Sequence, residues 1–265
     1  MIDAHNHLHD TAAFAPVETV MQRAMEAGVR RMICNAARES DWQTVLQLAD
    51  RYPLSITPAL GIHPWYVAET ADGCWQNRLA KLLREHPGSI IGETGLDLYH
   101  QPLNESLQEE CFRAHLQMGY ELRRPVVIHC VRAWDWMTRI LKETPHLPPS
   151  LLFHAYSGGK ELLPKLIQYG GWFSFAGTLL YEKNIRARQA LPLVPKNRLL
   201  LETDSPDLAA PLQYRSGHLK DADGKDKSEP ADLRKILSGA SQLLGMENAA
   251  LEAQLESNFS TFLAQ

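Results

Sequence analysis

Short apolar runs alternate with helix-period stretches along the whole chain, and this alternation constrains the fold more than any other feature. The runs lie at 2–5, 30–36, 54–61, 89–95, 125–130, 150–155, 171–177 and 198–204. Apolar residues run almost without a break through several of them, as in parallel strands covered on both faces. Helical spacing fills the gaps at 15–27, 41–52, 74–86, 133–143, 160–169 and 184–191. It is clearest behind Asn104, where Leu107, Cys111, Ala114 and Met118 recur. Beyond Pro230, the residues Leu233, Ile236, Leu237, Leu243 and Leu244 trace one more apolar face, and Leu251, Leu255, Phe259 and Phe262 trace a final helix. Eight such units predict a (β/α)8 TIM barrel with an extra C-terminal helix. At 265 residues the chain has the size of one such barrel, read as a single domain over 1–265. An open doubly wound sheet is the rival, but its GxGxxG fingerprint after the first strand is absent.

Residues able to bind metal cluster at the predicted strand ends. His5 and His7 close the first strand, Glu93 the fourth, His129 the fifth, His154 the sixth and Asp204 the eighth. In a barrel those C-terminal ends form one face, so residues 200 positions apart converge there. A lone strand-end histidine is usually a structural residue, and a lone carboxylate often caps a helix. Six such groups at five strand ends favour a metal site. Four imidazoles and two carboxylates suit divalent cations such as Zn, Mn or Co, and one carboxylate can bridge a pair of ions.

These residues carry a family resemblance. Asp3-Ala4-His5-Asn6-His7 has the form D-x-H-x-H. With GIHPW at 61–65, IGETGLD at 91–97, PVVIHC at 125–130, FHAYSG at 153–158 and LETDSP at 201–206, it resembles the TatD family of metal-dependent hydrolases, within the amidohydrolase superfamily. The resemblance implies a TIM barrel with a dinuclear centre of Zn, Mg, Mn or Co and, for many members, cleavage of DNA. By position it implies that His5 and His7 hold one ion, His129 and His154 the other, and that Glu93 bridges them. Asp204 would bind the first ion and handle the water proton. Two positions depart from the family: His9 stands where Asp is usual, and Ala155-Tyr156 where Cys-Phe is usual.

Other groups have weaker claims. His63 is a candidate substrate contact or a structural imidazole before Pro64. Arg132 is a candidate phosphate grip or a surface ion pair. His86, His100, His115, His146 and His218 share no strand-end position and read as structural or surface residues. Segment 205–229 is polar and punctuated by Gly and Pro, too long for a routine connection. Its basic residues Arg215, Lys220, Lys225 and Lys227 are interspersed with carboxylates, which favours a solvated loop over a phosphate patch. Trp65, Tyr66, Tyr99 and Trp134 are candidates for stacking on bases.

Net charge is −4, so the whole molecule is not a polycation built to attract nucleic acid. The four cysteines are scattered, as in a reducing compartment, and no run is long enough to span a membrane. A cytoplasmic, monomeric enzyme is expected. The leading assignment is a metal-dependent deoxyribonuclease acting on DNA or another phosphodiester or ester. The alternatives are an amidase, lactonase or aminoacyl-tRNA deacylase of the same fold, and a non-catalytic metal-stabilised binding protein.

Overall fold

A parallel strand can rejoin its neighbour only through a crossover, and a right-handed run of such crossovers lays consecutive strands side by side. The computed structural model, which describes residues 1–70 and 73–264, has that order throughout. Its strands are β1 (Ile2–Asn6), β2 (Arg31–Asn35), β3 (Ile56–Leu60), β4 (Ile90–Asp97), β5 (Val126–Val131), β6 (Leu151–Phe153), β7 (Gly171–Phe175) and β8 (Leu199–Leu201). Each pairs in parallel with the next. Backbone just past β8 bridges the seam to β1: Asp204 N–H donates to His5 O at 2.9 Å, and His7 N–H donates to Ser205 O at 2.7 Å. The (β/α)8 architecture is therefore present.

Outside the strands run α1 (Val17–Glu26), α2 (Glu39–Arg51), α3 (Trp75–Glu85), α4 (Glu105–Glu121), α5 (Trp134–Glu143), α6 (Leu163–Gln168), α7 (Ile185–Ala190), α8 (Leu233–Leu244) and α9 (Asn248–Leu263). The last of these is the expected extra helix. Its Asn258 amide donates to the carbonyls of Lys196 and Leu199, both at 2.7 Å, and its Glu252 and Glu256 pair with the Met1 ammonium. It thus closes the end of the barrel where the strands begin, opposite the site described below. Among the described residues, no helix is long and apolar enough to cross a membrane.

Strand ends beside the site correct the sequence reading: β6 stops at Phe153 rather than 155, so His154 follows its strand instead of closing it. β8 stops at Leu201 rather than 204, and Asp204 itself takes a left-handed backbone (φ 52°) that a strand cannot contain. β4 runs on to Asp97, so Glu93 lies inside its strand and not at the end. Pairing with β5 shifts register between Ile91 and Thr94, which places Glu93 in a local irregularity of the ladder. Gly95 permits it: a Cβ there would stand 2.0 Å from the His129 carbonyl oxygen, and the backbone has φ 146°.

Candidate metal centre

The six expected ligands arrive at the mouth by several local devices. His5 and His7 are two apart along β1 and its end, so they share a side. His129 is held in β5, while His154 directly follows β6. The seam hydrogen bonds bring Asp204 beside both β1 histidines. Asp3 reinforces that seam from below, accepting from the Thr203 N–H at 2.9 Å, the Thr203 hydroxyl at 2.6 Å and the Asn6 amide at 3.2 Å. Burial pushes the Asp3 carboxyl up to about 7 against those hydrogen bonds.

The side chains meet around Glu93. Its Oε2 lies 3.3 Å from His5 Nε2 and 3.1 Å from His7 Nε2. Its Oε1 lies 3.0 Å from His129 Nδ1 and 2.7 Å from His154 Nε2. Within each pair the two imidazole nitrogens face one another, at 3.3 Å and 3.4 Å. Asp204 Oδ1 stands 3.3 Å from His5 Nε2 and 3.8 Å from His7 Nε2. Burial opposes charge on both carboxylates, but the surrounding imidazoles hold Glu93 well below the usual carboxylate range and Asp204 below it as well. The overlapping triads His5/His7/Glu93, His5/His154/Asp204 and His63/Glu93/His129 each place ligand atoms within 4.8 Å of one another. Converging nitrogen lone pairs around carboxylate oxygens form the donor set that a borderline divalent cation prefers.

His63 belongs to this cluster. Its Nε2 lies 3.4 Å from Glu93 Oε1, and its ring packs against His129. Its Nδ1 accepts from the Trp65 N–H at 3.2 Å, so the neutral ring carries its proton on Nε2 and presents a donor to the cavity. Arg132 does not join the cluster. It is exposed, with its guanidinium 4.4 Å over the Tyr99 ring, and only the tyrosine lines the cavity.

Two buried carboxylates, given no role by the sequence reading, contact two of the expected ligands. Asp97 Oδ2 lies 3.0 Å from His129 Nε2 and also accepts from the Trp65 indole at 2.8 Å. Burial opposes its charge, yet hydrogen bonds from His129, Trp65, Tyr99 and His100 hold Asp97 well below the usual carboxylate range. Glu202 Oε1 lies 3.4 Å from His154 Nδ1 and accepts from the Ala155 N–H at 2.7 Å, and its other oxygen accepts from the Ser174 hydroxyl. Asp97 lies in IGETGLD, four residues after Glu93, and Glu202 in LETDSP, two before Asp204. That spacing was the available signal.

A cavity of about 650 Å³ opens over the cluster. Asp10, Glu93, Asp97, Asp204 and Asp207 line it, and no Lys or Arg does among the described residues. The basic residues of 205–229 are largely spent on their own loop: Arg215 and Lys220 both pair with Asp226, and Lys227 pairs with Asp207. Trp65, Tyr66 and Tyr99 border the cavity, whereas Trp134 packs into the barrel wall against Tyr156 and Phe153. His9 nests between Cys34 Sγ and the Asp10 and Asp41 carboxylates. Burial disfavours its charge, but Asp41 and Cys34 offset this and raise it to about 10.

Residues 2–264 match the family model described as TatD related DNase. The chain belongs to the TatD family. It is 31% identical over 265 residues to the 3'-5' ssDNA/RNA exonuclease TatD of Erwinia billingiae, with 97% of each chain covered. Over 209 residues it is 30% identical to the metal-dependent hydrolase YjjV of Escherichia coli K12, covering 78% of this chain and 80% of that one. The crystal structure of that TatD homologue superposes with a TM-score of 0.87 at 25% identity, covering 100% of this chain and 98% of the other. TatD membership agrees with the barrel and with the cluster of His, Glu and Asp at its mouth.

Proposed function

We propose that this TatD-family protein is a divalent-metal-dependent nuclease that cleaves phosphodiester bonds of DNA, and that His5, His7, Glu93, His129, His154 and Asp204 hold two ions. One observation carries the reading: Glu93 Oε2 faces the His5 and His7 imidazoles and Oε1 faces those of His129, His154 and His63, so one carboxylate stands between two groups of imidazoles that would each hold a cation. Zn, Mg, Mn and Co are the candidates. The five carboxylates and, among the described residues, the absence of Lys and Arg in the cavity agree, because a phosphodiester enters such a site only if bound cations reverse its charge.

When bound there, divalent cations supply Lewis acidity that acidifies water and offsets the negative charge developing on the phosphoryl oxygens. The chain's residues do the rest. Glu93 stays ionised among the imidazoles and fixes their spacing. Asp204, facing the cavity, accepts the proton of the attacking water and returns one to the leaving oxygen. His63 offers its Nε2–H to a non-bridging phosphate oxygen. Asp97 and Glu202 keep His129 and His154 in register.

The same cavity supports a second reading, because among the described residues no lining side chain selects phosphate over another ester. An amidase, lactonase or deacylase would use the same groups. We take the protein to act as a cytoplasmic monomer and its chain as one domain; Cys34, Cys111 and Cys130 are unpaired and buried, in keeping with a reducing compartment.

The test loads purified protein separately with each metal and offers end-labelled single- and double-stranded DNA alongside ester and amide substrates. Metal-dependent shortening of DNA that chelator abolishes, with far-UV circular dichroism unchanged, supports the nuclease. Turnover of esters alone transfers the assignment to the second reading, and loss of secondary structure on chelation assigns the metal a structural role.

A further inference from the structure

The cavity has two unlike walls. On one side lie the imidazoles, the carboxylates, Trp65, Tyr66 and Tyr99. The other side follows β6 and β7 and is apolar: Tyr156, Phe175, Ala176, Leu179, Ala187 and Leu208. The first five are at most 3% exposed, whereas Leu208 is 38% exposed. Buried residues that nevertheless line a cavity form the floor of a recess, and Leu208 is its lip. The recess starts beside the metal cluster, since Tyr156 is two residues from His154 and Leu208 four from Asp204.

This wall is built for an uncharged group. The Tyr156 hydroxyl donates to the Gly159 carbonyl at 2.9 Å, so it is turned to the protein's own backbone. With no Lys or Arg in the lining among the described residues, a phosphate gains nothing there and loses hydration. A flat, largely apolar group instead gains burial and contact with aromatic faces. Asn184 and Thr178 sit at the margin, with the Asn184 amide donating to the Thr178 carbonyl at 3.1 Å, and supply polar atoms where a heteroaromatic edge would emerge.

We propose that this recess is a base subsite, taking the nucleobase at the end of a strand whose adjoining phosphodiester lies over the metal cluster. The inference rests on the nuclease reading and deepens it. Because the lining residues are buried, the recess ends within the protein and takes a single base, so productive binding requires a base beside the scissile bond. A cavity of about 650 Å³ accommodates one nucleotide with room for the scissile group.

The experiment compares ten-residue single-stranded DNA ending in thymidine with the same strand ending in an abasic tetrahydrofuran, at the 3' end in one pair and the 5' end in another. The last linkage is a phosphorothioate, and binding is read by fluorescence anisotropy in Mg²⁺. Removing the base from one end is expected to weaken binding about tenfold or more, as loss of a stacked base does. Ala187→Phe, which fills the recess, should bring the base-bearing strand down to the abasic level while leaving the abasic strand unchanged. Leu208→Ser, at the exposed lip, should weaken the base-bearing strand selectively and guards against misfolding of the first variant.

Equal binding and equal cleavage of base-bearing and abasic strands at both ends would overturn the subsite while leaving the nuclease standing. Absence of both DNA binding and cleavage with every metal would overturn the nuclease reading and the base subsite together. In that case, Ala187-dependent turnover of aryl carboxylic esters would assign the recess to an acyl or aryl group.

Discussion

Asp97 and His129 are joined through the imidazole's far nitrogen: Nε2 lies 3.0 Å from Oδ2, which leaves Nδ1 facing Glu93 at 3.0 Å. An acceptor on one ring nitrogen fixes the tautomer, so the lone pair on the other is available to a cation. Asp97→Asn keeps an oxygen for the Tyr99 and His100 backbone donors but removes the charge facing the ring. Metal affinity is expected to fall about 10- to 100-fold, with unchanged far-UV circular dichroism. Titration calorimetry and metal analysis on one preparation check this, and undiminished affinity would reduce Asp97 to a loop-capping role.

Acid stability depends on a histidine remote from this chemistry. His115, in α4, donates through Nδ1 to the Cys111 carbonyl at 2.7 Å and accepts through Nε2 from the Ile62 N–H at 3.2 Å, so it is folded neutral. Burial depresses its pKa from 6.5 to about 4. Between those values the unfolded chain binds a proton that the folded chain does not. Stability is therefore complete above about 6.5 and is lost as pH falls toward 4, by at most about 3 kcal/mol. Urea midpoints at pH 7.5 and pH 4.5 should drop further for the wild type than for His115→Gln, and parallel drops would show that other groups carry the acid sensitivity.

The barrel was legible in the sequence because eight apolar runs and their helices each bury one face, and burial leaves a period. The clustering of the six candidate residues was legible because strand ends are where a barrel gathers its chemistry. Glu93 was placed at the wrong point in its strand, since the register shift beside it depends on β5 pairing and leaves no hydrophobic signal. Asp97 and Glu202 escaped for a related reason: a buried carboxylate looks the same in sequence whether it binds metal or steadies a histidine, and only its neighbour distinguishes the two. Arg132 illustrates the converse. Its position just past His129 suggested the site, but with φ 55° it turns onto Tyr99 at the rim.

Rim cations should carry the salt dependence of DNA binding. Arg38 lies 4.7 Å over Tyr66, as Arg132 lies over Tyr99, so two guanidiniums flank aromatic residues that line the cavity. Arg132→Ala should flatten the slope of log K against log salt by about 0.7, one single-strand phosphate contact, and Arg38→Ala by less, since Asp41 and Glu69 already face that guanidinium. Lys220→Ala with Lys227→Ala should leave it unchanged, since Asp226 and Asp207 already neutralise those charges. The reverse pattern would move the phosphate track to the long loop.

Asp204 is the carboxylate whose position most directly joins fold to reaction. Its N–H is tied to the His5 carbonyl across the barrel seam, its Oδ1 faces His5 and His7, and it lines the cavity. Burial opposes its ionisation but the neighbouring imidazoles keep it charged, so it is ready to accept a proton. The ring nitrogens of His129 are committed to Glu93 and Asp97. Those of His154 face Glu93 and Glu202, which leaves neither imidazole to serve as base. Asp204→Asn preserves shape and the seam hydrogen bond while removing basicity. Single-turnover cleavage is expected to slow by about 10²-fold or more, within or above the usual range for a lost general base. Metal content measured on the same sample should show at least one ion retained, because Glu93 and the paired histidines are untouched. Near-normal turnover at full metal occupancy would move the proton-transfer role to another group, whereas loss of both ions would show that Asp204 serves chiefly to hold metal.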